Sequence, residues 1–148
     1  MHLIAVGRLR VGPELALFQR YASRLRHRLT VVEVHEARGT PTEIKRREGL
    51  ALLEAAQKDA VLVALDPGGV VLDSVNFNQR LRTLGRSVCF LIGGAEGLDA
   101  SVLNRADLVM SLGAMTWPHF LVRVMLAEQL YRAQSITDGH PYHRAARP

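Results

Sequence analysis

The amino-acid sequence predicts a single α/β domain built on an open, mostly parallel sheet in three layers. Three observations carry that expectation. Short β-type runs alternate with helical stretches along the chain, the order that a parallel sheet with crossover helices requires. Two of the runs, residues 60–65 and 88–92, are apolar without alternation, as central strands covered on both faces must be. The 148 residues are 48% apolar and 22% charged, which suits one domain (residues 1–148) with a real core and excludes a disordered chain, a collagen-like repeat or a disulfide scaffold.

The first strand is expected over residues 2–6, ending at Gly7. Gly12-Pro13 opens a helix, since proline in a first turn loses no hydrogen bond. Phe18, Tyr21, Ala22, Leu25 and Leu29 recur at helical spacing as its buried stripe, with Arg20, Arg24 and Arg28 at four-residue steps on another face. The plainer reading of that basic face is a solvated surface; the other is a track for phosphates. Residues 30–34 form the second strand. Thr40-Pro41-Thr42-Glu43 then signals a helix start twice, by a capping-box pair and by proline at the first helical position, and the helix is expected to run to about Gln57.

The strand over residues 60–65 stops at Asp66-Pro67-Gly68-Gly69, a turn sequence, and a short segment at 70–72 precedes a helix capped near Asp73 or Ser74. The strand over residues 88–92 ends at Gly93-Gly94. A short helix follows from about Asp99 to Arg105, then a last strand near residues 108–110. Pro118 starts a long helix reaching about Ser135. That helix is apolar nearly all round, so it must be covered on more than one side. The sheet covers one side and a second subunit is the simplest cover for another, which predicts a homodimer; the alternative is a fully interior helix.

The net charge is +5, and its nineteen bases are seventeen arginines with only Lys45 and Lys58 beside them. The excess lies in residues 1–50, which hold ten bases and five acids. Arginine favours bidentate phosphate contacts and stacking on bases, so a polyanion partner fits, although charge alone leaves nucleic acid an open question. Cys89 is the lone cysteine and cannot bridge within the chain, which points to a reducing compartment. No apolar run approaches the roughly 18–20 residues needed to span a bilayer. The amino terminus has no charged-then-apolar leader pattern, so a cytoplasmic protein is expected.

In open parallel sheets, ligands bind beyond the carboxyl ends of the strands. Three such ends look unusual here: Leu65-Asp66, Gly93-Gly94 and residues 112–117. The loop Gly93-Gly94-Ala95-Glu96-Gly97 lets backbone groups approach a ligand closely, or is simply a tight turn. It matches neither a P-loop nor a full dinucleotide fingerprint. His119, His140 and His143 fit no compact zinc spacing, so no metal is expected, and Cys89 inside an apolar strand is a poor nucleophile. The tail from residue 136 reads ITDGHPYHRAARP. Tyr142, His143 and Arg144 are residues that stack on a base, move a proton and hold a phosphate; the alternative is a frayed terminus.

Taken in order, Leu91-Ile92-Gly93-Gly94 with Glu96-Gly97-Leu98, Ser111-Leu112 through Met115-Thr116-Trp117-Pro118-His119, Leu121-Val122-Arg123-Val124, Glu128-Gln129-Leu130-Tyr131-Arg132-Ala133 and the closing Pro141-Tyr142-His143-Arg144 resemble the RlmH family. These are small SPOUT-class methyltransferases acting on a pseudouridine of large-subunit ribosomal RNA. The resemblance covers essentially the whole chain and is densest over residues 90–144. It implies a carboxyl-terminal trefoil knot, which ordinary topology rules would exclude. It implies S-adenosylmethionine as cofactor, held largely by backbone at Leu65, Gly93, Leu112, Gly113, Ala114, Met115, Thr116 and Trp117. It also implies a homodimer acting on 23S rRNA within the 70S ribosome, at N3 of a pseudouridine in helix 69, with no membrane and no metal.

Under that resemblance His143 is the expected proton acceptor, Tyr142 orients or stacks on the target, and Arg144 holds RNA. Arg123 is expected to reach RNA or the cofactor carboxylate, or else to form an intersubunit salt bridge. Arg20, Arg24 and Arg28 are further RNA-contact candidates, and His119 is read as structural, because a helix amino terminus disfavours an imidazolium. The chain departs from the family at Gly113-Ala114, where serine or lysine often stands, and residues 145–148 extend past the usual tail with no assigned role. Two rival expectations are a related methyltransferase with another RNA target, such as tRNA, and a non-catalytic RNA-binding or assembly factor.

Overall fold

A computed structural model describes residues 1–85 and 87–144, so the extension at 145–148 lies outside the described residues. Ten elements follow in order: β1 (His2–Val6), α1 (Pro13–Ala22), β2 (Thr30–Val34), α2 (Pro41–Ala55), β3 (Val61–Val71), α3 (Ser74–Leu84), β4 (Val88–Ile92), α4 (Ala100–Arg105), β5 (Leu108–Ser111) and α5 (His119–Thr137). The strands form one sheet in the order β2-β1-β4-β3-β5, every pairing parallel.

Alternation along the strands divides the core in two. Leu3, Ala5, Val63, Leu65, Phe90 and Ile92 point to one face, where Phe18 of α1, Phe77 of α3 and Val124, Ala127 and Leu130 of α5 pack on them. Ile4, Val6, Leu62, Ala64, Cys89 and Leu91 point to the other, covered by Leu52 of α2 and Val102 of α4. The expected three layers are therefore present. Caps start the helices where the sequence signals them: Thr40 and Glu43 form the capping box of α2, Asp73 accepts from the Asn76 N–H at 2.7 Å, and Asp99 from the Ser101 N–H at 2.9 Å.

Three local differences from the sequence reading have physical causes. First, α1 stops at Ala22, although Leu25 and Leu29 are buried as expected. Gln134 of α5 accepts from the Arg26 N–H at 2.8 Å and donates to the Arg24 carbonyl at 3.2 Å, and Asp138 pairs with the Arg26 side chain. These contacts draw the chain off the helical path, so Arg20, Arg24 and Arg28 form no common stripe; the Arg24 guanidinium instead lies 5.8 Å from the Tyr131 ring centroid. Second, Asp66-Pro67-Gly68-Gly69 does not end the strand. The chain bulges there and rejoins β5, with Met110 facing both Leu65 and Val70. Gly69 is required, because a Cβ there would fall 2.6 Å from the Met110 nitrogen. Third, α1 and α3 supply within one chain much of the cover that α5 needs, with Ser74 donating to Gln129 at 2.8 Å and Thr137 to Asn78 at 3.0 Å. The apolar character of α5 is thus explained in large part without a second subunit.

Candidate functional site

The three unusual strand ends meet. A cavity of about 160 Å³ lies at the carboxyl ends of β3, β4 and β5, walled by Leu65 to Pro67, by the glycine loop and by the segment from Met110 to Trp117, with His119 and Val122 of α5 closing one side. Of the eight positions that the resemblance assigns to the cofactor, Leu65, Gly93, Leu112, Gly113, Met115, Thr116 and Trp117 line it, and Ala114 does not. Met115 and Trp117 are exposed at its mouth and extend the apolar wall outward.

Backbone shapes this cavity more than side chains do. The Gly97 N–H donates to the Gly94 carbonyl at 3.1 Å, folding the glycine loop on itself. A Cβ on Gly93 would stand 2.9 Å from the Gly97 carbonyl carbon, so only glycine allows this closeness. On the opposite wall Ser111 Oγ accepts from the Gly113 N–H at 3.2 Å and donates to the Gly113 carbonyl at 2.9 Å, holding a turn in which Gly113 has a φ of +115°.

Asp66 and His119 are the ionisable residues on the cavity wall. Burial, and then the neighbouring Arg123 guanidinium, hold the His119 imidazole below its ordinary pKa, against the pull of Glu36 and Glu48. The site therefore presents a neutral imidazole at neutral pH. Behind the glycine loop lies Glu48, which is buried: one oxygen accepts from the Ala37 N–H at 3.0 Å, and the other has no partner. That second oxygen would be 2.8 Å from a Cβ on Gly94. Sequence reading missed Glu48, because a glutamate in mid-helix carries no sign that its face is buried.

Arg123 corrects an expectation. Its side chain is 1% exposed and is spent inside its own chain, donating to the Val6 carbonyl at 2.5 Å, the Gly7 carbonyl at 2.7 Å and Glu33 Oε1 at 2.9 Å. Its terminal NH groups are committed within the subunit rather than free for RNA, it does not line the first cavity, and its salt bridge is within one chain rather than between subunits. A guanidinium satisfies the carbonyls at the end of β1 where the chain turns away from the sheet.

The tail is folded onto α5 and stays away from the cavity. The Tyr142 hydroxyl donates to Glu128 Oε1 at 2.9 Å; its ring meets Tyr131 edge-on at 4.8 Å, and the Arg132 guanidinium lies 4.9 Å from its centroid. Burial and the hydrogen-bonding partners Tyr21 and Glu128 push the Tyr142 pKa far up, so its phenol stays protonated. Both ring nitrogens of His143 are buried without a partner among the described residues, and Arg144 is exposed. None of Tyr142, His143 and Arg144 lines the cavity of the same chain. Burial pushes the Cys89 thiol up to about 11. No cluster of His, Cys, Asp or Glu that could hold a metal ion occurs among the described residues, and no helix among them is long and apolar enough to cross a membrane.

Comparison with known proteins places this geometry. The profile of a family described as predicted SPOUT methyltransferase matches residues 1–143. A protein of Gluconacetobacter diazotrophicus named ribosomal RNA large subunit methyltransferase H is 62% identical over 151 residues, covering 100% of this chain and 99% of that protein. A protein of the same name from Acidiphilium cryptum is 50% identical, over 100% of this chain and 96% of its own. Among solved structures, TrmJ from Z. mobilis ZM4 aligns with a TM-score of 0.56 at 14% identity, covering 99% of this chain and 72% of that one. The SpoU methyltransferase AviRb from Streptomyces viridochromogenes, solved in complex with AdoMet, aligns with a TM-score of 0.52 at 16% identity, over 93% of this chain and 58% of its own. At such identities the structures share the fold.

Proposed function

The chain belongs to the SPOUT methyltransferases, within the RlmH family, and from that premise we propose that it methylates N3 of a pseudouridine in helix 69 of 23S ribosomal RNA on the assembled ribosome, using S-adenosylmethionine. The observation that carries this reading is the 62% identity, end to end, with a large-subunit ribosomal RNA methyltransferase. The protein is read as a cytoplasmic homodimer of single-domain subunits, with the family's carboxyl-terminal trefoil knot.

The cavity suits the cofactor. Its wall is apolar and backbone-rich, glycine lets the chain approach a ligand closely, and the one imidazole on it is held neutral, so no cationic side chain on the wall opposes a sulfonium. S-adenosylmethionine, when bound, supplies an activated methyl group. Leu65, Gly93, Leu112, Gly113, Met115, Thr116 and Trp117, which line the cavity, are assigned to hold the cofactor, and Ala114, which does not line it, stands between two of them in the same loop. The rigid loops fix its position, which is where much of the rate advantage of a two-substrate transfer comes from.

The neutral imide nitrogen of the acceptor is a poor nucleophile, so its proton must leave. His143 is assigned as acceptor of that proton: its ring nitrogens have no hydrogen-bond partner among the described residues, and engagement of the target must uncover them, because both are buried within the subunit. Tyr142, held protonated, is assigned to orient or stack on the target, and Arg144 to hold RNA. Because the tail docks on α5 and does not line the cavity of its own chain, the reading has a second subunit bring the tail and the cofactor cavity together. Nucleoside mass spectrometry of 23S rRNA from cells with and without the protein tests the proposal. Loss of an N3-methylated pseudouridine supports it; an unchanged nucleoside set refutes it.

A further inference from the structure

A second cavity, of about 930 Å³, opens at the carboxyl ends of β1 and β2, on the same edge of the sheet as the first. The segment joining β1 to α1 frames it. Arg8 and Arg10 are exposed on its wall, while Leu9 between them packs against the core. Of the acids on the wall, Glu33 is spent on the buried Arg123, accepting from it at 2.9 Å and from the Leu9 N–H at 2.7 Å, and Glu36 adds to the field that stabilises the Arg123 charge. Neither Arg8 nor Arg10 makes an ion pair among the described residues. Arg123, which also lines the cavity, keeps a buried Nε without a partner. Val11, next along the loop, is 96% exposed.

Two unneutralised guanidiniums beside a cavity this large are more than a single small anion needs. They match successive phosphates of a strand, with the apolar Val11 beside them offering a surface for a sugar or base. The amino-terminal charge excess, net +5 over residues 1–50, has its exposed expression partly here. We propose that this cavity is an RNA-docking site in which Arg8 and Arg10 hold backbone phosphates while the target nucleotide occupies the neighbouring site; it rests on the functional reading above.

The test compares the wild type with the double variants Arg8→Ala/Arg10→Ala and Arg8→Lys/Arg10→Lys. Affinity for a single-stranded oligouridylate and for 70S ribosomes is measured across salt concentrations, with S-adenosylmethionine titrated in parallel. Both arginines are exposed, so folding survives the change. The alanine pair is expected to weaken RNA binding about tenfold or more and to flatten the log-log salt slope by about 1.4, as two lost phosphate contacts on a single strand require. The lysine pair should keep the slope and lose part of the affinity. Cofactor affinity should not move. Unchanged RNA affinity and slope in the alanine pair would overturn the docking site while leaving the methyltransferase reading standing. Wild type that binds oligouridylate through these arginines yet leaves ribosomes unmethylated would keep the docking site and overturn the reading. Wild type that binds neither RNA overturns the docking site.

Discussion

His119 and Arg123 stand one helical turn apart on α5 and face different cavities, His119 the one at the ends of β3, β4 and β5 and Arg123 the one at the ends of β1 and β2. The two are electrostatically linked, since the Arg123 charge helps keep His119 neutral. The first turns of α5 thus join the cofactor candidate site to the amino-terminal half of the sheet.

Arg123→Ala should destabilise the protein by about 3–5 kcal/mol, the usual cost of removing one partner of a buried ion pair. The variant leaves the Val6 and Gly7 carbonyls and Glu33 without their donor. Urea denaturation checks it through a lowered midpoint at unchanged slope. A loss under about 1 kcal/mol would mean that water replaces the guanidinium at little cost.

The lowered pKa of His119 sets a pH dependence whose sign can be stated. In the unfolded chain the imidazole takes up its proton near the ordinary value of 6.5; in the folded chain it does so only at lower pH. Between those points the unfolded state binds more protons, so stability rises with pH and falls as pH drops below about 6.5. Protonation of the folded protein also puts a cation beside the cavity, so affinity for S-adenosylmethionine should fall at the lower end of that range, as pH passes the lowered folded-state pKa. Calorimetric titrations at pH 7.5 and 5.5 check this, and His119→Gln should flatten the difference. An equal pH response in that variant assigns the effect to another group.

Most of the fold was legible because its signals are local. The Thr40-Pro41-Thr42-Glu43 capping box, the Asp73 and Asp99 caps and the unbroken apolar runs of β3 and β4 each act within a few residues, and the structure bears them out. Three site segments were marked by glycine and by strand ends for the same reason. What was not legible depends on distant partners. Gln134 and Asp138 decide where α1 ends, from more than a hundred residues away. Arg123 looks like a free cation until the Val6 and Gly7 carbonyls and Glu33 are brought to it, and Asp66-Pro67-Gly68-Gly69 looks like a strand end until β5 pairs on both sides of it.

Gly93→Ala should abolish cofactor binding with little change in secondary structure. The added Cβ meets backbone at Gly97, 2.9 Å away, and backbone yields only if the loop opens. Loss of heat in a S-adenosylmethionine titration, with an unchanged far-ultraviolet circular dichroism spectrum, is the expected result; retained affinity would place the cofactor away from the glycine loop.

Truncation after Gly139 and His143→Ala should each abolish methylation while leaving S-adenosylmethionine affinity and the dimer intact. The tail lines no part of the cavity of its own chain, so cofactor binding in that cavity has no reason to change. Tyr142→Phe is a milder perturbation, because it removes only the hydrogen bond to Glu128 and keeps the ring against Tyr131 and under Arg132. A hydrogen bond to a charged carboxylate contributes about 1.5–3 kcal/mol, so this variant should lose activity by about 150-fold at most. Single-turnover methylation of 70S ribosomes, with sedimentation to follow the dimer, separates the cases. Full activity in His143→Ala would remove His143 as the proton acceptor and leave that role to solvent.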